Sequence, residues 1–146
     1  VERSGISERR ALMKKKICIA AAVAVVAAVV FGCFFGLTAL DSSTSARVRF
    51  APDSAETVSA VQMSDEDFAV IRDIFNHRLL HSGHPSCGFS ENVAVIVDGT
   101  KTFCIACDTC PNVYWKEKDK YFGISESAQK RLYEVLEKYG FSFPCV

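Results

Sequence analysis

An uninterrupted run of uncharged residues, from Ile17 to Leu40, is the feature that most limits what this chain can fold into. As a helix, these 24 residues would be about 36 Å long, which exceeds the ~30 Å hydrocarbon core of a bilayer. A helix that is apolar on all sides has no face to offer to water. The run therefore predicts a transmembrane helix over residues 17–40 rather than a buried core helix.

The charges on either side of this run predict its orientation. Residues 1–16 carry six Lys or Arg against two Glu, a net +4, whereas residues 41–146 carry 11 against 15, a net −4. By the positive-inside rule, the basic N-terminal segment stays in the cytoplasm and the remainder is exported. We expect a single-pass protein of the plasma or inner membrane, of bacterial type. The formal net charge of zero excludes a broadly basic protein that binds nucleic acid.

Two other fates of the uncharged segment stay open. A cleaved signal peptide would begin at Met13 and end near Ala39 or Ala46, although neither position offers a clean cleavage pattern. Alternatively, Val30–Cys33 resembles a lipobox with Cys33 as the lipidated residue, although the bulky residue before its glycine departs from that pattern. The run is longer than the 7–15 residues of a typical signal-peptide core, and this favours an uncleaved anchor.

The rest of the chain divides into a tether and a domain. Residues 41–62 are rich in Ser, Ala and Thr, which predicts a stalk, although residues 47–50 alternate as a short strand would. Residues 63–146 then form an exported domain that contains cysteines. Its predicted elements are a helix over Asp65–His81 capped by Ser64, strands Val93–Val97 and Thr100–Ala106, a second hairpin from Asn112–Lys116 and Lys120–Ile124, and a helix from Ser125 to Tyr139.

These elements predict an α+β fold with the order α-β-β-β-β-α. The dipeptide Asp98-Gly99 between two β-branched runs is a strong hairpin signal. Two amphipathic helices would pack on an antiparallel sheet of about four strands.

Five cysteines in the exported part are candidates for disulfide bonds, because export favours oxidation. They are Cys87, Cys104, Cys107, Cys110 and Cys145. If Val97 faces Thr100 across the turn, the same register brings Cys87 and Cys110 together. Since five is odd, one thiol must stay free, pair between molecules or bind something else.

The same cysteines also suggest redox or metal chemistry. Cys104, Cys107 and Cys110 form a C-x2-C-x2-C string, in which each C-x2-C resembles a redox-active dithiol. No helix pattern follows the string, and the fourth cysteine of a ferredoxin-type cluster is absent at the expected spacing.

The end of the first predicted helix offers a possible metal site. His77, His81, His84 and Cys87 are candidate ligands for zinc, because His77 and His81 would share a helical face. The competing interpretation is that these histidines cover the core and turn their polar edges to water.

Aromatic residues give the second predicted hairpin a distinct character. Tyr114, Trp115 and Tyr121 lie among lysines and suggest a binding edge, unless they pack under a helix. The sequence contains no hydrolase, zinc-protease or nucleotide-binding motif, so no catalytic residue is assigned. The sequence thus predicts a membrane-anchored extracytoplasmic binding or accessory module, whose partner is a protein or small ligand. The alternative is an exported thiol-redox or metal-binding protein.

Overall fold

The chain forms two compact units, Val1–Gly36 and Leu37–Val146. A computed structural model describes residues 2–34, 36–83 and 85–145, with the side chains of residues 12–30, 36–83 and 85–145. In the first unit, helix α1 spans Glu2–Phe34, and its large apolar side chains between residues 12 and 30 are exposed. Among the residues that the structure describes, no helix is both long and apolar enough to cross a membrane.

The second unit is built on one antiparallel sheet of six strands in the order β2-β1-β3-β4-β5-β6. Its elements are β1 (Ala46–Phe50), β2 (Val61–Gln62), α2 (Asp65–Phe75), β3 (Val93–Val97), β4 (Lys101–Ile105), β5 (Asn112–Trp115), a 3-10 turn (Lys116–Lys118), β6 (Lys120–Gly123) and α3 (Glu126–Glu137). The predicted mixture of helix and antiparallel sheet is confirmed, but the sheet has six strands rather than about four.

The two additional strands come from residues 41–62, which the sequence suggested were a stalk. β1 pairs with β3 along its whole length, from Ala46 opposite Val97 to Phe50 opposite Val93. Alternate residues of β1 point into the core, and Val48 is buried. The side-chain amide of Asn92 holds the following loop by bonding the carbonyls of Ser54 and Glu56. This segment is therefore part of the folded unit and not a free tether.

The end of the uncharged run also belongs to this unit. Thr38 and Leu40 are both 0 % exposed, and Leu40 packs in the main hydrophobic core. The backbone N–H of Leu40 donates to the side-chain oxygen of Asn76 at 2.8 Å. Residues 37–40 thus belong to the second unit, with Thr38 and Leu40 in its core, which shortens any membrane segment to residues 17–36.

Helices α2 and α3 begin where the sequence predicts. The hydroxyl of Ser64 accepts from the N–H of Asp67, and the hydroxyl of Ser125 accepts from that of Ala128. α2 ends at Phe75, however, and not at His81. The chain leaves the helix there because the hydroxyl of Thr38 donates to the carbonyl of Phe75 at 2.5 Å and the backbone of Asn76 is extended.

Both helices contribute to one core against one face of the sheet. The ring of Phe75 lies 5.3 Å from that of Phe103 in β4 and 5.5 Å from that of Phe122 in β6. α3 adds its buried leucines to the same core. The opposite face of the sheet therefore carries neither α2 nor α3; we call it the helix-free face, and it carries the candidate site.

The first hairpin differs from its predicted register by one residue. Val97 pairs with Lys101 instead of Thr100, which leaves a loop over residues 98–100. Asp98 adopts a positive φ of 50° there, and its carboxylate accepts hydrogen bonds from the N–H of Thr44 and from Lys101. Burial opposes ionisation, but these hydrogen bonds outweigh it and lower the pKa of Asp98 well below its usual range. The fixed carboxylate stabilises the longer turn.

Candidate functional site

Two disulfide bonds join the cysteines of the second unit. Cys87 bonds Cys110 with a Cα–Cα distance of 6.2 Å, and Cys107 bonds Cys145 with a Cα–Cα distance of 4.7 Å. The expectation that the unit contains disulfides is confirmed. The predicted approach of Cys87 to Cys110 is also seen, although the hairpin register used to derive it was wrong by one residue. The second bond ties the C-terminus to the loop after β4.

Cys104 is the thiol left over from this pairing. It lies in β4 on the helix-free face of the sheet, between Ala94 of β3 and Tyr114 of β5, and is 1 % exposed. Burial, together with the charges of Glu91 and Glu117, raises the pKa of this thiol to about 12. A buried thiol that stays protonated is a poor nucleophile and a poor metal ligand.

The pairing leaves neither C-x2-C step of the string as a disulfide. Cys107 bonds Cys145 and Cys110 bonds Cys87, while Cys104 stays a thiol. The reason is the strand geometry: Cys104 belongs to β4 and lies on the helix-free face of the sheet, whereas Cys107 lies beyond the end of the strand. A dithiol site needs two neighbouring sulfurs that can bond each other, and this arrangement separates them.

The proposed histidine face does not form, because α2 ends before both histidines. His77 has a positive φ of 55°, and its Nε2 lies 3.0 Å from the carboxylate of Asp41. His81 instead pairs with the backbone of Tyr121 and stacks on its ring at 6.1 Å. His84, the third proposed ligand, lies outside the described residues. Zinc binding through His77 and His81 as helical neighbours is therefore not supported.

Cys87, the last residue of the proposed metal set, lies in a different cluster. The Sγ atoms of Cys87 and Cys110 and a carboxylate oxygen of Asp108 are within 4.8 Å of one another. The two sulfurs are bonded to each other, however, and metals bind cysteine as the free thiolate. In this oxidised state, the cluster lacks thiolate ligands.

Four partly exposed rings gather on the helix-free face of the sheet, and we call them the aromatic patch: His81, Phe89, Tyr114 and Tyr121. Tyr114 and Tyr121 face each other across β5 and β6, with ring centroids 4.9 Å apart. Phe89 lies 5.8 Å from the first ring and 5.7 Å from the second. The hydroxyl of Tyr114 donates to Asp119 at 3.1 Å.

The structure divides the predicted binding edge between two faces. Tyr114 and Tyr121 are in the aromatic patch, but Trp115 is 7 % exposed and packs in the core 5.1 Å from Phe103. Successive residues of a strand point to opposite faces, so the two neighbours in β5 cannot share one surface.

The segment between α2 and β3 completes the patch. Phe89 and His81 come from this irregular segment. The Cys87–Cys110 disulfide fixes the segment just before the start of β5, and Glu91 links it to Lys116 by a 2.6 Å ion pair. A loop aromatic has no periodic signal, and the contribution of Phe89 was therefore missed in the sequence.

The second unit is thus a disulfide-linked α+β sheet domain with helices on one face and an aromatic patch on the other. No protein-family model matches the sequence, and no curated protein or solved structure matches it either. The side chain of Cys33, the proposed lipidation site, lies outside the described residues.

Proposed function

We propose that this chain is a membrane-anchored extracytoplasmic binding module, which holds its ligand or partner at the aromatic patch. The observation that carries the binding role is the patch itself: four half-buried rings on the face of the sheet that neither α2 nor α3 covers. Aromatic side chains at such positions supply large contact areas at a low cost in conformational entropy.

The anchor is supported by the sequence of residues 17–36. These 20 residues carry no charge, and α1 contains residues 17–34 of them, a length of about 27 Å that is close to the ~30 Å hydrocarbon thickness of a bilayer. The side chains of residues 31–35 lie outside the described part, so the full run is a property of the sequence. Exposed valines and isoleucines before them are distributed around the helix, which suits a lipid environment better than water.

Export is supported by the pairing of the cysteines and by the charge distribution. Two disulfide bonds in a unit of this size are typical of an oxidising compartment. Lys14, Lys15 and Lys16 directly precede the uncharged run, which is the arrangement that keeps the N-terminus in the cytoplasm.

Location is tested on membranes from bacteria that express the full chain. We expect the protein to resist extraction by alkaline carbonate and to lose residues 37–146 when protease is added outside spheroplasts. Release of the intact chain by carbonate would refute the anchor, and protection from external protease would refute the orientation.

Binding is tested by calorimetric titration of the full chain in nanodiscs with chitotriose, maltotriose and a synthetic peptide library. For any compound that binds, Tyr121→Ala should weaken the affinity about tenfold, the effect of losing about 1.4 kcal/mol at an interface. The matched control is Tyr133→Ala, which removes a half-buried tyrosine stacked on Phe143 in another part of the unit. Equal effects of the two substitutions, or no effect of the first, would refute the patch as the binding surface.

A further inference from the structure

Two exposed leucines lie side by side at the point where the second unit begins. Leu37 is 56 % exposed and Leu79 is 48 % exposed, and the two residues form an isolated antiparallel bridge. In the described part of this unit, Val61 is the one other large aliphatic side chain that is similarly exposed, at 61 %. Paired apolar side chains in water indicate a contact surface more strongly than a single one does.

The chain places Leu37 next to the uncharged residues 17–36 of the proposed anchor. Leu37 directly follows Gly36, so at most one Cα–Cα step of ~3.8 Å separates it from the end of that run. The N–H of Thr38 donates to the carbonyl of Arg78 at 2.9 Å, and the N–H of His77 donates to the carbonyl of Thr38 at 3.0 Å. These hydrogen bonds hold Thr38, the residue after Leu37, against the segment that follows α2 in the second unit.

Arg78, which directly precedes Leu79 in the chain, supplies a cation next to the bridge. Its Nε donates to the carbonyl of Ile74 at the end of α2, and no carboxylate among the described residues forms an ion pair with it. The remaining guanidinium N–H groups can donate to lipid phosphates, while the leucines enter the boundary of the acyl chains. We call Leu37, Arg78 and Leu79 the junction rim.

We propose that the junction rim is a bilayer-contact surface that seats the second unit on phospholipid headgroups. This inference rests on the proposed membrane anchor, since the anchor is what brings the rim to the bilayer. The rim lies beside β6, because His81 exchanges two backbone hydrogen bonds of 2.9 Å with Tyr121. Val61 in β2 is at the opposite edge of the sheet, about 24 Å away for strands spaced ~4.8 Å apart.

The test is energy transfer from Trp115, the single tryptophan, to dansyl-labelled headgroups in nanodiscs of phosphatidylethanolamine and phosphatidylglycerol. The double substitution Leu37→Ser and Leu79→Ser should lower the ratio of docked to undocked units about tenfold and reduce the transfer. Val61→Ser is the matched control and should leave the transfer unchanged. Unchanged transfer in the double variant, or an equal loss in the control, would overturn the proposal.

A second measurement uses quenching of a tryptophan placed at the rim itself. In a Trp115→Phe background, Leu79→Trp should be quenched by lipids brominated near the headgroup, and Val61→Trp should not. If the chain stays in nanodiscs and neither tryptophan is quenched, the rim does not contact the bilayer, while the proposed anchor still stands. A chain that fails to insert into nanodiscs refutes the anchor first. Loss of lipid quenching with growing protein concentration would overturn the proposal, because a second copy and not lipid would then cover the rim.

Discussion

Replacing Thr38 by valine separates two accounts of where the membrane segment ends. The hydroxyl of Thr38 donates to the carbonyl of Phe75 at 2.5 Å and accepts from the N–H of Arg78 at 2.7 Å. Valine has nearly the same volume, so no cavity forms, but both backbone groups lose their partner. Leaving one buried polar group unpaired costs about 1–3 kcal/mol, so the loss of two partners in Thr38→Val should lower the free energy of unfolding by about 2–6 kcal/mol.

A residue inside a bilayer would respond in the opposite way, because valine is more favourable than threonine in hydrocarbon. The assay is urea unfolding of the full chain in nanodiscs, followed by the fluorescence of Trp115, which is buried in the core of the second unit. Thr38→Ser keeps the hydroxyl and should cost about 1 kcal/mol for the lost methyl group. Ala39→Val changes an exposed neighbour and should have little effect. Unfolding of Thr38→Val at the wild-type urea concentration would refute the placement of Thr38 in the core of the second unit.

Three further predictions concern polar and sulfur groups of the second unit. The hydrogen bond from Lys138 is the main cause that lowers the pKa of Asp67. Its stabilising effect is complete above the unfolded-state pKa of about 4 and is lost as the pH falls through the lower folded-state pKa. In acid titrations, the free energy of unfolding should therefore fall less for Asp67→Asn than for wild type. Replacing Cys107 and Cys145 by alanine should lower the free energy of unfolding by about 4 kcal/mol, because the unfolded chain is no longer closed into a loop between these residues. Calorimetry measures the change, and an unchanged Tm would contradict the prediction. Burial raises the pKa of the Cys104 thiol to about 12, so at pH 8 it should react with iodoacetamide orders of magnitude more slowly in the native chain than in urea. Peptide mass spectrometry measures the two rates, and equal rates would show that the thiol is accessible in the native chain.

Local signals in the sequence were reliable wherever one short segment contains the whole cause. Ser64 and Ser125 start helices because each hydroxyl can accept from an amide three residues later, whatever the rest of the chain does. The hairpin at residues 112–123 formed as predicted, since β-branched and aromatic residues flank a polar turn.

Elements whose stability comes from distant residues were missed or misplaced. β1 has only five residues and exists because β3 pairs with all of them, so its own pattern was too short to reveal it. The end of α2 depends on Thr38, which lies 37 residues before Phe75 in the chain. The hypothesis that histidines on one helical face bind zinc is not supported for the same reason, since the helix ends before His77 and His81.

The sequence by itself determined the uncharged run, the polarity of its flanks, the α+β class and the presence of disulfides, because each depends on composition or on neighbours along the chain. The tertiary structure decided which cysteine stays a thiol, which aromatic residues share a surface, and where the run passes into the folded unit. Those outcomes depend on strand register and on hydrogen bonds between distant segments, as with Thr38 and Arg78. A shift of one residue in register moves a side chain to the other face of a sheet, and local pattern cannot set that register alone.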